Sequence, residues 1–209
     1  MLFKSTALAA LAATATASNS TGPYGLHITG KGDTSIDGYA AACHAGAAIE
    51  ALCYAAGGSP TAGTVTEFYY NYTAYNSDTG VPSQPGWLTY LLQAGSNNGT
   101  IIEPSSMQLN PSSWGSNVFT ALIFPGVEDG TSVYYHPENG TIYMAGGYDD
   151  SSFNETYPTP IPTLGNLTNF HLCYQFVGGY YYQSIAWVST LPPHNPSCQP
   201  VDLSFQELS

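Results

Sequence analysis

Two kinds of side chain in this sequence have chemistry to offer a partner: carboxylates set beside aromatic rings, and dense runs of tyrosine. Glu67 lies in Glu-Phe-Tyr-Tyr-Asn-Tyr. Paired with Glu50, Glu103 or Glu128, it could share the acid and base work of cleaving a glycosidic bond, if two carboxyl groups faced each other across a cleft. Spacing alone does not put them there, and the simpler reading is a solvated carboxylate at a strand edge. The 17 tyrosines offer a different chemistry, because such rings stack on sugar faces and keep a hydroxyl free for hydrogen bonding. Their densest groups are Tyr180-Tyr181-Tyr182, Phe68-Tyr69-Tyr70 and Tyr134-Tyr135. Tyrosine is also a good strand former, and half of any strand's rings face the core. Three in a row cannot all point inward, so Tyr180, Tyr181 and Tyr182 form the candidate ligand-binding set.

Other chemistries find no footing. His27, His44, His136, His171 and His194 are scattered, without the i, i+2 or i, i+4 spacing of a metal site. They read as structural or surface histidines, and no metal is expected. No Gly-x-Ser-x-Gly elbow supplies a serine nucleophile. The four cysteines are expected in bridges, which removes a thiol nucleophile. With neither Gly-x-Gly-x-x-Gly nor a lysine-bearing phosphate loop, no nucleotide cofactor is implied, and the cofactor expectation is none.

The elements that must position these residues read as strands. Phe170 to Val177 and Tyr180 to Val188 flank Gly178-Gly179, a dipeptide suited to the positive φ of a tight hairpin turn. Leu191 to Pro196 holds three prolines, cannot continue a ladder, and returns Cys198 towards Cys173. Asp37 to Cys43 and Ala47 to Tyr54 form a second hairpin turning at Ala45-Gly46, although their alanines also suit a helix. That hairpin brings Cys43 to Cys53. Thr64 to Thr73 reads as a strand with Phe68, Tyr70 and Tyr72 on one face and Glu67, Tyr69 and Asn71 on the other. Tyr24 to Thr29, Gly86 to Gln93, Ile101-Ile102 and Ser106 to Leu109 are further candidates, the last two broken by Pro104 and Pro111. Asn117 to Phe124 is apolar on both faces and belongs in the middle of the core. Ser132 to His136 and Thr141 to Ala145 make another hairpin, Gly146 to Asn169 a surface loop, and Val201 to Phe205 a last edge strand. Ten to twelve short strands with almost no amphipathic helix predict an all-β, single-domain antiparallel sandwich or flattened barrel with two disulfides.

Composition bounds the setting. Residues 1–17 have a basic start at Lys4, an Ala- and Leu-rich run and an Ala15-Thr16-Ala17 site, the pattern of a secretory signal peptide, leaving residues 18–209 as one secreted β-domain. A first mature residue of Ser18 rather than histidine argues against an oxidative copper enzyme. Of two basic residues, Lys31 alone remains after processing, against 14 carboxylates. Nothing neutralises phosphates, so neither nucleic acid nor an anionic membrane is an expected partner. Asn19, Asn71, Asn98, Asn139, Asn154 and Asn166 are sequons for N-glycosylation, and occupied ones must lie on the surface. With an even number of cysteines they describe an extracellular glycoprotein.

The order of DGYAAACHAGAAIEALC, TEFYYNYT, GWLTYLL, SNVFTALIFPG, FHLCYQF and AWVSTLPPHNPSCQPVDL is similar to a family of small secreted proteins from filamentous ascomycete fungi with no assigned function. The resemblance spans nearly the whole mature chain and is most specific in Ala186-Trp187-Val188 with the following Pro193-His194-Asn195-Pro196-Ser197-Cys198. Leu172 before Cys173 is a departure, the mark of a diverged member. The resemblance implies a β-rich secreted fold and a fungal origin and lends no catalytic residue. The resulting expectation is a non-catalytic glycoprotein acting at the cell surface or towards a host or substrate, with cell-wall polysaccharide or a host surface as its partner. The alternatives are a weak, lectin-like carbohydrate-binding module and a sandwich-fold glycosidase.

Overall fold

The computed structural model describes residues 19–73, 85–96, 99–127 and 129–208. Residues 1–18, which include the expected signal peptide, together with Asn98 and Glu128 lie outside them. Strands β1 (Asn19–Gly30), β2 (Asp37–Gly46), β3 (Ile49–Ala56), β4 (Phe68–Tyr72), β5 (Gly86–Ser96), β6 (Gly99–Pro111), β7 (Val118–Pro125), β8 (Ser132–Tyr135), β9 (Ile142–Tyr143), β10 (Phe170–Val177), β11 (Tyr180–Val188) and β12 (Gln199–Glu207) follow in order. Antiparallel pairing runs from β1 through β4, β5, β6, β7, β11, β10 and β12 back to β1. The β2–β3 hairpin spans this ring, with β2 on β1 and β3 touching β7 and β11. The predicted all-β antiparallel architecture therefore forms as one large sheet closing on itself, without making a clean barrel.

Alternation explains what fills the ring. In β4, Phe68, Tyr70 and Tyr72 are buried while Tyr69 and Asn71 are partly exposed, as a period of two requires. Leu26, Ile28, Leu52, Phe170, Leu172, Ile185 and Leu203 join them in the main core. The buried Tyr70 hydroxyl donates to the Val133 carbonyl at 3.1 Å, so this polar group is not left unsatisfied. Both predicted disulfides are present, Cys43–Cys53 and Cys173–Cys198.

Four details depart from the sequence reading. The β2–β3 chain reversal falls at Ala47-Ala48, with Ala48 at φ 56°, because Ala45 and Gly46 still belong to the ladder. Thr64 to Glu67 is a turn, closed by the Glu67 amide donating to the Thr64 carbonyl at 3.1 Å. Pro104 does not break β6. Its carbonyl accepts from the Gly126 amide at 3.0 Å, so the side on which proline lacks a donor faces the end of β7, and the ladder to β5 continues through Leu91 opposite Pro104. Finally, β12 is not an edge strand. It pairs along β1 and also with β10, because its inward Val201, Leu203 and Phe205 are buried. The surface loop 146–169 contains none of the named strands, yet its base is tied by reciprocal amide bonds of 2.8 Å between Met144 and Leu167.

Candidate functional site

The β10–β11 hairpin outruns the ring, and its overhang carries the exposed rings. Gly178 and Gly179 have φ of 57° and 93°, and the turn they make sets Val177 opposite Tyr180 and Phe176 opposite Tyr181. Cross-strand partners share a face. One face therefore runs from the buried Phe170, Leu172, Ile185 and Trp187 outward to Tyr174, Phe176, Gln183 and Tyr181. Beyond the reach of the neighbouring strands, these last residues meet solvent. Tyr174 is 47%, Phe176 70% and Tyr181 69% exposed. The Tyr174 and Tyr181 rings lie 5.8 Å apart and only 18° from parallel. Gln183, directly opposite Tyr174, has no hydrogen-bond partner for its amide among the described residues.

The opposite face carries the other two tyrosines of the triplet. Tyr180 and Tyr182 stack at 5.9 Å and 8° and rest on the β2–β3 hairpin. Tyr180 meets the His44 ring edge-on at 5.5 Å, and the Tyr182 hydroxyl donates to the His44 carbonyl. The candidate set Tyr180, Tyr181 and Tyr182 is thus divided between two environments, and Tyr181 alone joins the open platform. Sequence reasoning missed Tyr174, Phe176 and Gln183, although counting outward from the two-residue turn pairs them with Tyr181.

The platform is held from its edge. β12 pairs with β10 no further than Leu172, and past that point the return segment takes over. The Tyr174 amide donates to Ser197 Oγ at 3.0 Å and Asn195 Nδ2 donates to the Tyr174 carbonyl at 2.8 Å. The adjacent Cys173–Cys198 bridge fixes both strands of this clamp. On the hidden face Gln175 is buried, its amide donating to Ser184 Oγ at 2.8 Å while its carbonyl accepts from Thr120 Oγ1 at 2.5 Å. A saturated buried amide of this kind stiffens the base of the overhang.

The candidate carboxylates are arranged differently. Glu67 accepts from the Gly63 amide through one oxygen and from the Tyr69 hydroxyl through the other, which closes the 63–67 turn and pushes the Tyr69 hydroxyl up to about 12. Glu50 lies on the far side of Gly63, Thr64 and Tyr90, in an adjoining cavity of about 400 Å³. Burial raises its pKa, partly opposed by His44 at 3.9 Å. Glu103 is exposed opposite Leu92. Of the described sequons, Asn19, Asn139, Asn154 and Asn166 are exposed. Asn71 is half-buried, its carbonyl accepting from Ser20 at 3.0 Å and Thr89 at 2.9 Å. Among the described residues no three His, Cys, Asp or Glu side chains converge.

Compared with protein-family models, curated proteins and solved structures, the chain matches none.

Proposed function

We propose that this is a secreted, non-catalytic fungal glycoprotein that works at the cell surface by holding neutral polysaccharide on the Tyr174, Phe176 and Tyr181 platform. The observation that carries the reading is the trio of exposed rings on one clamped hairpin face, with the unpartnered Gln183 amide among them. Flat apolar rings accept the C–H faces of a sugar, and an amide offers both a donor and an acceptor to its hydroxyls. Neither needs charge, which suits a chain so poor in cations. The non-catalytic part of the proposal is supported by Glu67, both of whose oxygens are engaged in the 63–67 turn. Each stacked ring contributes on the order of 1 kcal/mol, so one platform binds in roughly the millimolar range and firm retention depends on several copies acting together.

Retention on insoluble β-glucan and chitin tests this. Wild-type protein is expected to be retained independently of salt, and Tyr174→Ala/Phe176→Ala/Tyr181→Ala to pass through while its thermal transition moves little. Tyr180→Ala should retain binding. No retention of the wild type on any wall polymer, or unchanged retention of the triple variant, would overturn the proposal.

A further inference from the structure

A second site lies on the other side of the return segment, where the chemistry is unlike that of the platform. A cavity of about 580 Å³ opens between β10 and the 191–200 segment, walled by leucine and prolines of that segment, with Lys31, Thr168, Asn169 and His171 supplying its charged and polar side chains. That is the size of a small-molecule site. We propose that it binds a small neutral molecule with an apolar body and a single hydroxyl donor, a phenol or comparable alcohol.

His171 supplies the selectivity. It is only 4% exposed, and its Nδ1 lies 3.0 Å from the Asn169 carbonyl oxygen. A carbonyl can only accept, so Nδ1 carries the proton and Nε2 presents a lone pair. Among the described residues nothing donates to that nitrogen. Burial lowers the pKa of the ring, assisted by the charge of Lys31, which keeps it neutral and Nε2 an acceptor. Nε2 is thus an acceptor left open to the cavity, and a ligand hydroxyl that donates to it gains a hydrogen bond that the leucine and proline walls cannot supply.

Lys31 decides the charge of the ligand. Its ammonium has three donors, and they meet three acceptors: Asp202 at 3.0 Å, the Thr168 carbonyl at 2.6 Å and Thr168 Oγ1 at 2.9 Å. No N–H is left for an anion, and Asp202 cancels the charge. The leucine and proline walls supply hydrocarbon contact, Thr168 is engaged by Lys31, and Asn169 is the one other polar side chain of the lining, so a sugar ring would leave most of its hydroxyls unsatisfied there. The occupant is therefore apolar over most of its surface, with its donor set against His171.

The test uses 2-naphthol and its methyl ether, 2-methoxynaphthalene, which differ in the one donor. Fluorescence titration of the purified protein should show 2-naphthol bound about tenfold more tightly than the ether, the worth of one buried hydrogen bond. In ¹⁵N-histidine NMR the Nε2 resonance of His171 should move on binding. His171→Phe is expected to bind both probes equally. Should that variant fail to fold, the Nε2 shift and Leu191→Asp decide, because Leu191 is 69% exposed and a carboxylate there should weaken both probes about tenfold through its cost against an apolar body. The platform triple variant should bind 2-naphthol as the wild type does. Equal affinity of the wild type for the two probes, an unmoved Nε2 resonance, or loss of 2-naphthol binding in the platform variant would overturn the proposal. Because the last outcome is read without polysaccharide, failure here is distinct from failure of the platform.

Discussion

Single side chains set how this protein answers to pH, and the half-buried Glu50 and the buried His171 pull in opposite directions. Glu50 holds its proton to a higher pH when folded than when unfolded, because burial penalises its charged form. Above the ordinary value of 4.5 the unfolded chain therefore gives up that proton first, and stability falls as pH rises towards the raised folded value. His171 does the reverse. Its folded pKa lies below 6.5, so the stability it contributes is present above that value and is lost as pH falls through it. Glu50→Gln isolates the first effect, since glutamine matches the protonated acid in shape. Thermal melts should show the variant more stable than wild type at pH 7 and indistinguishable from it at pH 4. A variant less stable at pH 7 would mean that the charged carboxylate is favoured by its surroundings, the His44 contact at 3.9 Å outweighing burial.

At the scale of elements, the β10–β11 hairpin shows what local sequence can specify. Gly178-Gly179 between two aromatic runs marks the turn, and the turn fixes the register, so the sharing of one face by Tyr181, Phe176 and Tyr174 was legible from counting alone. The two glycines have different work. A Cβ on Gly178 would overlap the Ala45 carbonyl oxygen of the β2–β3 hairpin, whereas one on Gly179 would meet nothing within 4 Å. Both occupy left-handed backbone, which costs a side chain about 1 kcal/mol. Gly179→Ala should therefore lose about that much in a denaturant titration, and Gly178→Ala clearly more, because packing against a second hairpin is added to the conformational cost. Equal losses would show that the Ala45 contact yields freely. That contact was not legible, nor was the interior place of β12 or the continuation of β6 through Pro104. Each depends on which distant strand lies alongside, and composition carries no trace of that. The cavity beside His171 was hidden for the same reason: its walls come from residues 31, 168–171 and 191–200, which only the closed sheet brings together.

For the molecule as a whole, the closed sheet and the net charge of −12 act in different ranges of acidity. At neutral pH like charges keep copies apart. Near the pI of about 4.3 that repulsion vanishes, and a β protein with a long open flank would then be exposed to pairing with its neighbours. Here the pairing path returns on itself, leaving the two-residue β9 as its outer end among the described residues. Even that end is occupied, since the Gly140 carbonyl just before it accepts from the Phe205 amide at 3.0 Å. Light scattering across pH 3 to 7 should therefore show dispersed protein at the isoelectric point, and growth of particles centred there would contradict this. Colloidal persistence in acid, ordinarily supplied by charge, becomes in this chain a property of topology: with unpaired strand backbone among the described residues confined largely to the overhanging ends of the β5–β6 and β10–β11 hairpins, one copy has little by which to template another.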